Sequence, residues 1–399
     1  MSTIDFDPRA PLAGPPVPWA ATSTPGLRSG PPYHMTEMIA AEPALAERVL
    51  ARLAPTRGPA TLMAQLINRT ASASRRIVVT GCGTSEHGAL GFVEIVRDAL
   101  VAIGIPNWTI SSEQAFEVAL DPPPDALVIG ISHEGATWAT NRALEAARTA
   151  GARTAVVTAS DRSPAASIAD IVVTTEEIDQ SWCHTIGYLS PLLAGVAVGA
   201  ALRGEDARRS IPAIRSLLTA TAEQESSIEA AADALAETHR ILVVGSGADR
   251  TAGRELTLKI EEGTWIPAAY RDLETFLHGH FPAADASTGL VLIAADRRQA
   301  DARLARGRQM LAAMLEIGVH SAAITTGDGA AAFTPDLTPA GRVRVNEAAG
   351  LPAPVAALLG TTVPLQLLTE RIARARGTNP DPIRRDDPRH AAAASRIED

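Results

Sequence analysis

Three short apolar segments, each followed at once by a glycine-containing loop and a helical pattern, limit the possible folds of this chain most strongly. The segments begin at Arg76, Ala126 and Ile241, and their loops read GCGTS, SHEGAT and GSG. A buried strand, a tight loop and a helix in this order begin a βαβ unit, and repeated units build a parallel sheet covered by helices on both faces. The sequence therefore predicts the α/β class.

The remaining periodicity repeats this alternation in two similar halves. We predict helices from His34 onward, near 59–72, 187–202, 208–236, 299–317 and 353–376, and further strands at 154–158, 171–175, 290–295 and 322–325. This duplication predicts two tandem, doubly wound parallel-sheet domains of the flavodoxin-like three-layer α/β/α type, at 34–205 and 206–380. Residues 1–33 are rich in proline and predict an extended arm, and residues 381–399 form a separate tail.

Composition excludes several classes of protein. With 46% hydrophobic and 20% charged residues in 399 positions, the chain is an ordinary globular one, long enough for two cores. A net charge of −9 without a basic cluster argues against a nucleic-acid partner, because such binding needs Lys or Arg patches. We expect no membrane span, since no run of about 18 apolar residues occurs.

The first residues and the cysteines indicate a cytoplasmic location. The N-terminal MSTIDFDPRAPLAG carries acids and prolines and no apolar segment, so we expect no secretory signal. Two cysteines, Cys82 and Cys183, make no disulfide framework, which fits a reducing compartment.

The first two loops combine glycine with hydroxyl side chains. Gly83, Thr84 and Ser85 stand in the first loop, and Ser132 and Thr137 in the second. Backbone N–H groups at a helix N-terminus bind anions, and ligands of parallel sheets lie at the carboxyl ends of the strands. The plain alternative is a tight turn in which Ser132 and Thr137 only cap a helix, and capping and anion binding use the same geometry.

The stretch from Glu255 to His280 carries the candidate acid–base groups. Glu255, Lys259 and Glu262 follow helical spacing on one polar stripe, and His278 comes from the loop behind it. A carboxylate and an imidazole suit proton transfer, although an exposed helix acid and a loop-capping histidine are the plainer readings. His278 and His280 could also form a metal pair, but no supporting ligand stands at suitable spacing, so we expect no metal.

Together these segments resemble the double-domain sugar isomerase (SIS) family, which includes the isomerase half of glutamine–fructose-6-phosphate aminotransferase and amino-sugar-phosphate deaminase/isomerases. Four segments carry the resemblance: TGCGTSEHGAL (80–90), GISHEGATWATNRALEAARTAGARTAVVT (130–158), RELTLKIEEG with the following LHGH (254–280), and NPDPIRRDDPRH (379–390).

The resemblance implies roles for individual residues. The implied substrate-binding positions are Gly83, Thr84, Ser85, Ser132, His133, Glu134, Thr137 and Glu255. It implies Glu262 as the proton-shuttling base, and His278 as the ring-opening group supplied by the neighbouring subunit. A homodimer with shared active sites follows, with a tail that closes on each site and with neither metal nor organic cofactor. We add Lys259 as a catalytic candidate, because its charge can stabilise an enediolate oxygen.

Two departures from the family pattern bear on the substrate. Relatives that bind an amine keep a Schiff-base lysine in the tail, whereas this tail has none and the chain's only lysine is Lys259. Relatives usually carry serine at the position of Glu134, and a carboxylate about 4–5 Å from a phosphate costs on the order of 3–4 kcal/mol at an effective dielectric near 20. Either Glu134 turns away, or it is protonated, or the anion is absent or lies elsewhere; Glu134 could instead bind a sugar hydroxyl or an amine.

The predicted function is that of a sugar or sugar-phosphate aldose–ketose isomerase, or of an amino-sugar isomerase/deaminase, with proton transfer between C1 and C2. One alternative is a non-catalytic sugar-phosphate-binding regulator. Another is an ammonia-dependent aminosugar synthase, which needs the missing tail lysine. Trp182 to Thr185, between the two halves, is a further candidate for the pocket wall.

Overall fold

The computed structural model describes residues 6–12 and 28–397, and its strands form two five-stranded sheets. The first sheet contains β1 (Arg76–Gly81), β2 (Thr109–Gln114), β3 (Leu127–Ile131), β4 (Arg153–Thr158) and β5 (Ile171–Thr174). The second contains β6 (Arg240–Gly245), β7 (Ala268–Asp272), β8 (Thr288–Ala294), β9 (His320–Thr325) and β10 (Gly341–Arg344). All strand pairs are parallel.

Both sheets have the same topology. The strand order is β2-β1-β3-β4-β5 in the first sheet and β7-β6-β8-β9-β10 in the second. This is the flavodoxin-like order, which reverses direction between the first and third strands and opens a crevice there. The prediction of two tandem doubly wound domains is confirmed, and the two switch points lie at β1/β3 and β6/β8.

Helices cover both faces of each sheet. The first half contains α1 (His34–Leu53), α2 (Pro59–Ser72), α3 (Thr84–Ala102), α4 (Ala115–Leu120), α5 (Trp138–Thr149), α6 (Pro164–Ile168) and α7 (Ile186–Leu202). The second half contains α8 (Ile211–Leu218), α9 (Ala222–Ala236), α10 (Asp249–Thr264), α11 (Leu273–Thr275), α12 (Ala300–Ile317), α13 (Gly327–Ala332), α14 (Ala353–Arg376) and α15 (Pro388–Ala394).

The buried apolar side chains form three hydrophobic clusters, and successive residues of a strand point into different ones. Ile77 and Val79 of β1 face a large central cluster, which also takes in Val243 of β6 and the buried helices α7 and α14. Val78 faces a separate outer cluster beneath α5, as the period-2 geometry of a strand requires. The two halves therefore share one continuous core. Within residues 6–12 and 28–397, no helix has the length and apolar character that crossing a bilayer requires.

Two parts of the secondary-structure prediction were wrong. The helix predicted at 208–236 is broken into α8 and α9, because Thr221 caps α9 by a reciprocal side-chain exchange with Gln224. Strands β2, β7 and β10 were missed. Each is an edge strand, and its half-exposed residues do not form the continuous apolar run that is typical of a central strand.

The ends of the chain pack on the first half. Most of the predicted arm at 1–33 lies outside the described residues, but the N–H of Leu12 donates to Glu177 at 3.4 Å. In the tail, the Asp381 carboxylate accepts the backbone N–H groups of His34 and Met35 at 2.8 and 3.0 Å and so caps α1. The domain boundaries at 205/206 and 380/381 stay predictions.

Candidate active site

Two neighbouring loops at the switch point of the first sheet form one wall of the candidate site. Gly83, in the loop after β1, has φ +56° and ψ −127°, and Gly135, in the loop after β3, has φ +72°. A Cβ atom at Gly135 would lie 2.2 Å from the Ser163 hydroxyl oxygen, so the loop requires glycine there. Because β1 and β3 pair directly, the two loops meet at the same edge of the sheet.

The predicted hydroxyl ligands lie in these loops. Thr84 and Ser85 begin α3 and are buried, and Ser132 is buried after β3, with its hydroxyl donating to the Thr137 hydroxyl oxygen at 3.4 Å. Thr137 is exposed at the N-cap position of α5, and its side chain makes no capping hydrogen bond. The structure therefore brings these four residues to one strand edge, and their role in binding stays a prediction.

Helix α10 of the second half docks on the first loop through Glu255. The Glu255 carboxylate accepts the Thr84 hydroxyl at 3.3 Å and lies 2.7 Å from Nδ1 of His87. Glu255 is buried, but Lys259 and His87 outweigh the effect of burial and hold the pKa of its carboxyl below the ordinary value. This contact joins positions 171 residues apart, one in each half of the chain.

Lys259 lies between two carboxylates. Its Nζ is 3.7 Å from Oε1 of Glu255 and donates a hydrogen bond to Glu262. The side chain is fully buried, which by itself would lower its pKa, yet Glu262 and Glu255 raise the pKa above the ordinary value. The stripe predicted as polar is thus an internal ion-pair network.

Glu262 is the member of this network that remains accessible. Its side chain is 21% exposed, against 1% for Glu255 and 0% for Lys259. Burial raises the pKa of the Glu262 carboxyl above its ordinary value, and the Lys259 charge opposes this in part. A partly exposed carboxylate with a raised pKa is a stronger base than an ordinary glutamate.

Glu134 stands in the second loop beside the tail. Burial, together with the negative charge of Asp179, raises the pKa of its carboxyl to about 7, and Arg385 opposes this shift. The Arg385 guanidinium lies 4.3 Å from the centre of the Trp182 ring. The tail therefore contacts the loop between the two halves, and its closing on the active site stays a prediction.

A buried carboxylate anchors that loop. Asp179 accepts the backbone N–H groups of Ile186 and Gly187 at 3.1 and 2.6 Å, at the start of α7, while its own N–H donates to Nε2 of His133 at 3.0 Å. Burial lowers the pKa of His133, and it lowers the pKa of His184 to about 4, so both rings are neutral at pH 7. His133 therefore acts as a hydrogen-bond acceptor that joins the second loop to the start of α7.

Within the described part of the chain, the side-chain partner of His278 is Glu274 and not Glu262. Its side chain is 72% exposed and its Nε2 is 3.2 Å from Glu274, close to the end of β7. Asp272 at that end pairs with Arg250 in the first turn of α10, at 2.7 Å. Glu262 lies 12 residues further along α10 than Arg250, about 18 Å away along the helix axis. Supply of His278 by a second subunit stays a prediction.

Metal and thiol chemistry find little support in the site. Across residues 6–12 and 28–397, no three His, Cys, Asp or Glu side chains gather as metal ligands. Cys183 is fully buried, and burial raises the pKa of its thiol well above the ordinary value, so the thiolate nucleophile is disfavoured.

Sequence reasoning missed two residues that organise the site. His87 follows Thr84 by three positions, so helical spacing alone places both on the face that meets Glu255. Asp179 had no such signal, because its partners in the second loop are distant in sequence and only the folded chain brings them together.

The SIS domain model matches residues 71–201 and 234–329, together more than half of the chain. Glutamine–fructose-6-phosphate aminotransferase (isomerizing) of Pyrobaculum aerophilum is 27% identical over 376 residues, which cover 92% of this chain and 58% of that protein. The chain spans about half the length of the curated relatives that it matches.

Solved structures share the architecture. The C-terminal domain of glucosamine–fructose-6-phosphate aminotransferase from Francisella tularensis superposes with a TM-score of 0.73 at 18% identity, covering 89% of this chain and 99% of that chain. Tagatose-6-phosphate ketose/aldose isomerase from Escherichia coli gives a TM-score of 0.69 at 17% identity, covering 89% and 97%. The domain match and the common fold confirm the resemblance drawn from the sequence motifs: the chain belongs to the SIS domain family.

Proposed function

We propose that this protein is a sugar isomerase of the aldose–ketose or amino-sugar isomerase/deaminase type, with Glu262 as the base. The observation that carries the proposal is the docking of α10 on the first loop. Thr84 and His87 contact Glu255 on α10, and Lys259 joins Glu255 to the accessible Glu262 carboxylate. This network supports the proposal because ligands of parallel sheets bind at the carboxyl ends of the strands, where the first loop lies.

The reaction assigns one step to Glu262. Its carboxylate removes the proton from C2 of the open-chain sugar, and the C–H electron pair forms the C1–C2 double bond while the carbonyl electrons move to O1. The same carboxyl group then returns the proton to C1, the proton of the O2 hydroxyl passes to O1, and O2 becomes the new carbonyl oxygen. An amino sugar follows the same path through an enolamine, after which water adds at C2 and ammonia leaves. The raised pKa of Glu262 matches the base to this task.

Lys259 and His278 support this step in different ways. In the structure Lys259 is fully buried beneath Glu262, so we propose that it orients that carboxylate and keeps Glu255 ionised. Because Lys259 is buried, its charge would stabilise an enediolate from beneath Glu262 and not by direct contact. We propose that His278 of a second subunit opens the sugar ring, which agrees with the exposure of its side chain.

The names of related proteins support the same class of reaction. The curated relatives are isomerizing enzymes that act with fructose 6-phosphate, and one solved structure is a ketose/aldose isomerase. A synthase that uses a Schiff base is disfavoured, because the only lysine of the chain lies inside the ion-pair network.

Deuterium exchange tests the proposal. The purified protein is incubated in D₂O with glucose, fructose, their 6-phosphates and the corresponding 2-amino sugars, and proton NMR follows the signals at C1 and C2. We expect exchange with at least one sugar, and a loss of about 10²–10⁴-fold in the Glu262→Gln variant. Glu261→Gln is the matched control, because Glu261 is the exposed neighbour on the same helix.

The control variant should exchange at the wild-type rate. Wild-type protein that binds sugars and never exchanges these protons would instead be a non-catalytic sensor. Exchange that continues unchanged in Glu262→Gln would remove Glu262 from the mechanism.

A further inference from the structure

We infer that the second half of the chain contains an anion-binding site that its own Asp296 carboxylate occupies, where the first half leaves room for an external ligand. The site lies at the carboxyl ends of β6 and β8, and it takes one small oxyanion of the size of a carboxylate. The inference goes beyond the proposed function, because it concerns the glycine loop of the second half and not the reaction at Glu262.

The two halves build this place in the same way. Gly81 and Gly245 end equivalent strands, and Cβ atoms there would lie 2.7 and 2.8 Å from the carbonyl oxygen four residues further along. Gly83 and Gly247 come next, with φ +56° and +65°, and a helix begins behind each of them. The GSG loop after β6 therefore follows the same course as the GCG loop after β1.

The space beside these glycines differs between the halves. Among the described residues, a Cβ atom at Gly83 would come within 4 Å of the Leu258 side chain alone, at 3.9 Å. A Cβ atom at Gly247 would lie 2.4 Å from Oδ2 of Asp296 and 2.7 Å from the guanidinium carbon of Arg303. The first loop is therefore open beside its glycine, whereas a carboxylate and a guanidinium fill the same position in the second half.

Asp296 is held as a bound anion would be held. Its side chain is fully buried, and its Oδ2 accepts the N–H of Ala248 just before α10, at 2.9 Å. The Arg298 guanidinium donates to both carboxylate oxygens at 2.7 to 3.1 Å, and that of Arg303 lies 4.0 Å away. Burial would raise the pKa of the Asp296 carboxyl, but these hydrogen bonds outweigh burial and hold the pKa below the ordinary value. Amides at a helix N-terminus and arginines are the usual donors to oxyanions.

A small cavity beside Asp296 limits what else can enter. Its volume of about 20 Å³ is room for about one water. Asp249 lines the same cavity, and its Oδ2 accepts the N–H groups of Ala295 and Asp296 at 2.9 Å each. Within residues 6–12 and 28–397, the buried Oδ1 of Asp249 has no hydrogen-bond partner, so it would bind a water that enters. An external anion therefore fits only when the Asp296 carboxylate is removed.

The internal anion also ties the two halves together at the start of α10. Arg298 donates to Glu94 of α3 at 3.2 Å as well as to Asp296, so the anion connects α10 with the first half. Asp296 is then a positioning residue, because α10 carries Glu262 and begins at this site. One strand edge per chain, that of β1 and β3, remains for an external ligand.

Chemical rescue of a truncated side chain tests the inference. Asp296→Ala removes the carboxylate, and formate is an anion of the same size. We expect the variant to melt about 5 °C or more below the wild type in chloride buffer at pH 7, and about 100 mM sodium formate to restore at least half of that loss. NMR of carbon-13-labelled formate should show binding to the variant and none to the wild type.

Two controls separate the site from general effects of salt and of truncation. Asp206→Ala removes a partly exposed carboxylate that accepts the N–H and the guanidinium of Arg208, at the same spacing as Asp296 and Arg298. Formate should stabilise this variant no more than chloride does, because no buried cradle surrounds the carboxylate. Asp296→Asn keeps an acceptor for the N–H of Ala248 and fills the space, so it should bind no formate.

Each outcome decides for or against the site. If Asp296→Ala is unfolded in chloride, circular dichroism in formate replaces the melting temperature, and a recovered helical signal supports the inference. The inference is overturned if formate stabilises or refolds Asp296→Ala no more than chloride does, or if it acts equally on Asp206→Ala. These readouts do not involve proton exchange, so this inference and the proposed function can fail separately.

Discussion

Replacing Lys259 by methionine tests how much the buried ion-pair network of α10 stabilises the folded chain. The ammonium lies 3.7 Å from Oε1 of the buried Glu255 and bonds to Glu262. At an effective dielectric near 20, one such contact amounts to about 4–5 kcal/mol of Coulomb energy. Removing one partner of a buried pair leaves an uncompensated charge, so we expect Lys259→Met to lower the free energy of unfolding by about 3–5 kcal/mol at pH 7.

The effect should depend on pH in a defined direction. In the wild type, Lys259 and His87 hold the folded-state pKa of Glu255 below 4.5, so its contribution to stability is present above pH 4.5 and is lost as the pH falls through the folded pKa. The variant lacks this contribution at neutral pH. The free energies of unfolding of the two proteins should therefore differ most near pH 7 and converge in acid.

Urea unfolding followed by far-UV circular dichroism measures the free energy of unfolding of both proteins. Measurements at pH 7 and at pH 4 give its dependence on pH. Arg142→Met is the matched control, because Arg142 and Glu145 form an exposed pair at the same i,i+3 spacing and should contribute at most about 1 kcal/mol. The double variant Lys259→Met/Glu255→Gln should recover part of the loss, since it removes the stranded charge. A loss below about 1 kcal/mol at pH 7, or a gap that widens in acid, would refute the reasoning.

Two further predictions concern a buried acid and the subunit arrangement. Burial raises the pKa of Glu42 well above 4.5, although a hydrogen bond with the Gln366 side chain acts in the opposite direction. The wild type should lose stability as the pH rises above about 4.5, because the buried carboxyl must then ionise. The melting temperature of Glu42→Gln should therefore exceed that of the wild type by a margin that grows from pH 4.5 to 8. A margin independent of pH would contradict this. If His278 serves the neighbouring subunit, refolding an equal mixture of the inactive Glu262→Gln and His278→Asn variants should restore about a quarter of the wild-type exchange rate, because half of the dimers then hold one intact site. Activity that stays at the level of the separate variants would contradict shared sites.

Sequence patterns predicted the central strands and most helices well because those signals are local. A buried parallel strand needs a continuous apolar run, and the loop behind it needs glycine, so β1, β3, β6 and β8 can be read from neighbouring residues. The edge strands β2, β7 and β10 lack that signal because one of their sides faces solvent. Their places in the sheets depend on pairing partners elsewhere in the chain.

The sequence by itself determined the alternation of strands and helices and the grouping of Glu255, Lys259 and Glu262 on one helical face, since both follow from backbone periodicity. Only the tertiary structure decided that this face is buried, that Glu262 alone of the three remains partly accessible, and that Asp179 holds the start of α7. The reason is physical: exposure and pKa depend on which distant segments pack against a side chain, and helical spacing contains no information about them.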